Sequence, residues 1–143
     1  MIVGSLCFGL IGGVSLAQRH LDKASNLQTA MTTAQAHKAA GRKDILLVDI
    51  RRPSEWRRTG IGQFATPIDL RDPAFITKIR AAQSSADQPV ALICARGVRS
   101  AKTSARLTEA GFANVVDVPA GMLGSRAGPG WLKSNLPIVR YEK

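Results

Sequence analysis

The residues with the clearest chemical potential form one stretch, Cys94-Ala95-Arg96-Gly97-Val98-Arg99-Ser100. It follows a short apolar run, 90–93, and leads into a helical pattern over 100–110. The cysteine is therefore expected where a buried strand gives way to a helix. Free backbone N–H groups and the positive end of the helix dipole favour negative charge there. Gly97 lets the backbone fold so that several N–H groups converge into an anion nest. Arg96 and Arg99 add positive charge. Each feature favours the thiolate, which is the nucleophilic form of cysteine. The same cradle suits an oxyanion such as a sulfonate or sulfite group. The chemistry that fits is two-step covalent transfer. A thiolate attacks the outer sulfur of a donor, an anion leaves, and the resulting persulfide passes its sulfur to a thiol or to cyanide. The plainer alternative is a strand-end thiol that only packs.

The flanking sequence supplies elements to hold such a loop. Thr32-x-x-Gln35 matches a capping box and opens a helix through about Ala40, with Gly41 at its end. Residues 45–50 (ILLVDI) read as a buried parallel strand. Arg51 to Trp56 breaks it, and Ser54 is placed to cap a short helix. Asp72-Pro73 opens another helix, with Phe75, Ile76 and Ile79 on one face. After the helix at 100–110, Gly111 suits the C′ position. Residues 115–118 form a third strand. The glycine-rich tail around Trp131 reads as loop and short helix. Strands alternating with helices imply an α/β fold with a parallel sheet covered on both faces. Ligands in such folds sit at the carboxyl ends of the strands, where Cys94 falls.

The chain has 143 residues, the size of one domain, with 45% hydrophobic and 21% charged residues. Twenty Lys and Arg against ten Asp and Glu give a net charge of +10. The basic residues are scattered, with short clusters at Arg51-Arg52 and Arg57-Arg58. No basic stripe interleaved with aromatics is present, which argues against nucleic acid as a partner. The excess either draws in a small anionic substrate or is a solvated basic surface. Besides Cys94 there is Cys7, in an apolar N-terminal segment. No CxxC or Cys/His cluster has metal spacing, so neither metal nor cofactor is expected. His20 and His37 are isolated. Residues 2–16 carry no charge, and Ser15-Leu16-Ala17 precedes Gln18 like a cleavage site. Residues 1–17 thus read as a signal peptide for export, to the periplasm where the cell has one. The alternatives are a membrane anchor over 2–16 or a buried element of the domain. Residues 18–30 read as a polar linker and 31–143 as the domain.

These motifs, in this order, resemble the rhodanese family over residues 32–137. The match is carried by Leu47-Val48-Asp49-Ile50-Arg51 with Pro53, Glu55 and Trp56, by the six-residue loop Cys94 to Arg99, by Gly111-Phe112 with Val115, and by Gly121-Met122, Gly130-Trp131-Leu132 and Leu136-Pro137. The resemblance implies a five-stranded parallel sheet flanked by helices on both faces. It also implies a sulfurtransferase with its persulfide on Cys94, and substrate contacts from Ala95, Arg96, Gly97, Val98, Arg99 and Ser100. Arg99 is favoured over Arg96 for lining the pocket. The cationic loop is similar to those of thiosulfate users, so a small anionic sulfur donor is expected. The alternative acceptor is a protein. Cys-x4-Arg is shorter than the Cys-x5-Arg of related phosphatases, which argues against phosphate chemistry. Asp49 is expected to support the loops structurally, through backbone hydrogen bonds or an arginine, and Glu55 to pair with a nearby arginine. Trp56 and Trp131 are expected to pack. The sequence departs from the family pattern at 60–65 (GIGQFA), without the usual histidine and proline, and at Ala120-Gly121, where two glycines are usual. Two other functions compete, a non-catalytic persulfide carrier or interaction module and a redox-sensing thiol. The second lacks a resolving cysteine.

Overall fold

The computed structural model describes residues 29–142. The signal-peptide or anchor reading and most of the linker fall outside them. Helix α1 (Thr33–Gly41) opens with the capping box foreseen above. The Thr32 hydroxyl accepts from the Gln35 amide at 3.2 Å, and the Gln35 side chain accepts from the Thr32 amide at 2.8 Å. Strand β1 (Leu46–Asp49) follows, then α2 (Pro53–Thr59), β2 (Ile61–Gly62) and β3 (Thr66–Pro67). Next come α3 (Phe75–Ala82), β4 (Val90–Ile93), α4 (Val98–Glu109) and β5 (Val115–Asp117). The short helix α5 (Gly130–Lys133) and β6 (Ile138–Val139) complete the order.

The main sheet is parallel, in the order β3-β1-β4-β5. Its register sets Leu46 against Val90 and Asp49 against Ile93, and then Leu92 against Asp117. Among the described residues it has four strands, not the expected five. At the β5 edge a fifth strand shrinks to one parallel bridge between Ala30 and Asp117. On its C-terminal side the segment ends there, because Thr32 already caps α1. At 60–65 the chain does not join the main sheet either. β2 pairs antiparallel with β6, and Phe64 then turns the chain at φ +69° into β3.

Alternation along each strand sorts the core into two layers. Leu46, Val48, Val90, Leu92 and Cys94 pack with Phe75 and Ile79 of α3 and Leu107 of α4. Leu47, Ala91, Ile93 and Val116 pack on the other face with Ala36 and Ala40 of α1 and Trp131 of α5. The helices cover both faces, as expected. Two local expectations need correction. Ile76 is 39% exposed, because one residue after Phe75 the helix has turned about 100° away from the sheet. Ser54 lies inside α2 rather than capping it. Pro53 takes the first helical position, and the Glu55 carboxylate accepts from the Arg52 amide at 2.9 Å. Among the described residues no helix is long and apolar enough to cross a membrane.

Candidate active site

Cys94 follows the last residue of β4, at the carboxyl end of a central strand. Its carbonyl accepts from the Met122 amide, and that of Ala95 from the Leu123 amide, both at 2.9 Å. These bonds fasten the loop to the segment after β5. Gly97 adopts φ +87° and ψ −14°, the left-handed region, and starts α4. That conformation aims its N–H at the cysteine sulfur, 3.1 Å away. The thiol lies 3.5 Å from the Ser100 hydroxyl, which in turn donates to the Gly97 carbonyl at 3.2 Å. Among the described residues, the amides of Ala95, Arg96, Val98, Arg99 and Ser100 have no acceptor in the protein. The loop therefore offers one amide already on the sulfur and several further donors left uncommitted, as an anion nest requires. Cys94 itself is only 1% exposed, so the sulfur sits at the floor of the loop. Val98 stands 65% exposed at the rim.

Close packing allows this shape only with glycine at two positions. A Cβ on Gly97 would lie 2.3 Å from the Pro119 carbonyl oxygen. One on Gly121, at φ +64°, would lie 2.4 Å from the Ala95 carbonyl oxygen. The Cys94 loop and the turn after β5 thus interlock backbone to backbone.

Around the loop the arginines divide into paired and unpaired. Arg51 is buried and fully engaged. It donates to both Asp49 carboxylate oxygens at 2.8–3.1 Å, to the Thr59 hydroxyl at 2.8 Å and to the Gly60 carbonyl at 2.8 Å. Asp49 also accepts from the Arg51 amide at 3.1 Å. The pair ties the end of β1 to the end of α2. Arg99 reaches from α4 to α2 and meets Glu55 end-on, with N···O distances of 2.7 and 2.8 Å. Hydrogen bonds from Arg99 hold the Glu55 carboxyl down at about 2, helped by the Arg52 amide and opposed by partial burial. Sequence reasoning favoured Arg99 as the pocket-lining arginine. The structure commits both its terminal nitrogens to Glu55, while Arg96 lines a cavity beside the loop.

Two residues here carry no signal in the sequence. Asp117, on β5, is pushed up by burial, offset in part by the Ser100 hydroxyl and the Val118 amide. One of its carboxylate oxygens is buried without a hydrogen-bond partner. Lys133, on α5, shares the cavity with Arg96. Only the fold brings these positions to the loop. Trp131 is completely buried, with its indole N–H on the Pro137 carbonyl at 2.9 Å and its ring against Gly62. Among the described residues no three His, Cys, Asp or Glu side chains are grouped to hold a metal ion.

A parallel α/β layer bearing a cysteine in an amide-lined loop at a central strand's carboxyl end defines the class of protein. The family model for the Rhodanese-like domain matches residues 32–126, and the chain belongs to that family. It is 32% identical over 107 residues to a protein named Sulfurtransferase from Allochromatium vinosum, covering 75% of this chain and 90% of that one. It is 29% identical over 112 residues to the uncharacterized protein YibN of Escherichia coli K12, covering 77% and 71%. Among solved structures, the polysulfide-sulfur transferase homodimer of Wolinella succinogenes superposes with a TM-score of 0.62, covering 88% of each chain at 20% identity. That last likeness speaks to the fold.

Proposed function

We propose that the protein is a sulfurtransferase that carries sulfur on Cys94 and takes it from thiosulfate or a similar small anionic sulfane donor. The observation that carries this reading is the Gly97 N–H aimed at the Cys94 sulfur from 3.1 Å, inside a loop of uncommitted amides. In the first step the thiolate attacks the donor's outer sulfur. A new S–S bond forms, the donor's own S–S bond breaks, and sulfite leaves with its electron pair. The outer persulfide sulfur extends about 2 Å beyond Cys94 Sγ, toward the loop amides. In the second step a thiolate or cyanide attacks that outer sulfur and Cys94 departs as thiolate. Double displacement of this kind gives ping-pong kinetics. Asp49 takes no part in proton transfer in this scheme. It anchors Arg51, and through it the junction of β1 and α2.

A second reading is a persulfide carrier that serves a protein partner without turnover of its own. Val98 favours it, as an apolar side chain exposed at the rim of the loop. One experiment addresses both. Intact-mass analysis after thiosulfate treatment is expected to show one added sulfur atom on the native protein and none on Cys94→Ser. Multiple turnovers of thiosulfate with cyanide support the enzyme, whereas a single stable adduct without turnover supports the carrier. No adduct on the native protein, or the same adduct on Cys94→Ser, overturns both.

A further inference from the structure

A cavity of about 410 Å³ opens beside the Cys94 loop. Its walls are Arg96 from the loop itself, residues 123–125 and 128–129 from the turn after β5, and Lys133 from α5. Two cations line it and no carboxylate does. Elsewhere, cations near acids are neutralised: Arg51 by Asp49, Arg99 by Glu55, Arg71 by Asp69 and Arg42 by Asp44. Arg96 and Lys133 enter no ion pair among the described residues. Arg96 makes one long hydrogen bond, 3.5 Å to the Gly124 carbonyl, which leaves most of its donors uncommitted. The cavity therefore holds uncompensated positive charge in a concave site.

Size and place narrow the occupant. The volume lies in the range of sites for small organic ligands, roughly 300–1,000 Å³. An inorganic sulfur oxyanion would fill little of it. Arg96 is two residues from Cys94, so the two Cα atoms are at most about 7 Å apart along the chain. A ligand with a thiol at one point and a carboxylate a few bonds away can span from the sulfur to the cavity.

We infer that Arg96 and Lys133 form a carboxylate subsite that selects a peptide-sized, carboxylate-bearing thiol as the sulfur acceptor. This rests on the persulfide reading of Cys94 and names the second substrate of that site. The acceptor's carboxylate seats between guanidinium and ammonium. Its thiol loses a proton to solvent, and the thiolate attacks the outer sulfur. The acceptor becomes the persulfide, the S–S bond to Cys94 breaks, and Cys94 returns as thiolate. No further oxidant or reductant is required.

The test compares two acceptors on protein loaded with thiosulfate, glutathione as a tripeptide thiol with two carboxylates and 2-mercaptoethanol as an uncharged one. Lys133 is exposed, so its replacement spares the core. Lys133→Ala is expected to raise the ratio of the glutathione KM to the 2-mercaptoethanol KM about fivefold, the worth of one partly exposed ion pair. Lys133→Glu raises it further, and Lys133→Arg restores it. A ratio that stays the same in all three variants overturns the subsite. A parallel measurement separates this from failure of the Cys94 chemistry. S-methylglutathione, which has no thiol, is titrated against the unloaded protein. Binding weakened by Lys133→Glu supports the subsite even if no persulfide forms, and binding indifferent to Lys133→Glu overturns it even if Cys94 loads normally.

Discussion

At Gly97 the backbone sits at φ +87°, and the place of a Cβ lies 2.3 Å from the Pro119 carbonyl oxygen. Gly111 has nearly the same φ, +85°, with nothing within 4 Å of its missing Cβ. The two glycines separate conformational cost from steric cost. Gly111→Ala is expected to lose about 1–2 kcal/mol, the penalty of a left-handed L-residue, and still to load sulfur. Gly97→Ala meets backbone as well, so its urea midpoint falls further and loading is lost as the amide leaves the sulfur. Equal midpoints and equal loading for the two variants would contradict the interlock. Gly97 was legible in sequence as the residue that bends the loop. The matching need at Gly121 was not, since its contact partner, Ala95, is remote in the chain and only the family resemblance drew attention to it.

Between elements, Glu55 performs two tasks. It caps α2 through the Arg52 amide and joins α2 to α4 through Arg99. Its pKa falls from 4.5 to about 2 in the folded protein. A depressed carboxyl stabilises the fold fully above its unfolded pKa and loses that contribution as pH drops through the folded value. The window is therefore about pH 4.5 down to about 2. Glu55→Gln lacks this contribution throughout. Urea midpoints measured at several pH values are expected to differ most above pH 4.5 and to converge toward pH 2. Asp69 is also held low, by Arg71, but it is common to both proteins and cancels in the comparison. A gap that does not change with pH would rule out the ion pair as its source. The sequence pointed to a nearby arginine for Glu55, and Arg51, Arg52, Arg57 and Arg58 lie within four residues of it, whereas its partner Arg99 is 44 residues away. Packing of α2 against the start of α4 makes the selection. Ser54 looked like the cap because its hydroxyl type suits that role, but Pro53 at the first turn leaves Arg52 as the N-cap residue.

For the molecule as a whole, a net charge of +10 attracts small anions. The field is screened over about 30 Å at 0.01 M salt and about 3 Å at 1 M. The second-order rate of loading by thiosulfate is expected to fall several-fold across that range, while the KM for 2-mercaptoethanol shifts little. A salt-independent loading rate would show that the basic excess is only a solvated surface. The layered α/β architecture and the place of Cys94 were legible because apolar strand runs and helix caps are local signals. The pairing of the short strand at 61–62 was not, because its partner at 138–139 is remote in the chain. The margins of the domain have a practical consequence. Hydrogen bonds join Met31 and Thr29 to Asp117, and the Trp131 indole and the β2–β6 ribbon close the far side. The folding unit therefore overhangs the family's matched stretch, 32–126, at both ends. A fragment trimmed to that stretch would keep the sulfur-bearing loop yet forfeit the tryptophan that plugs one core layer.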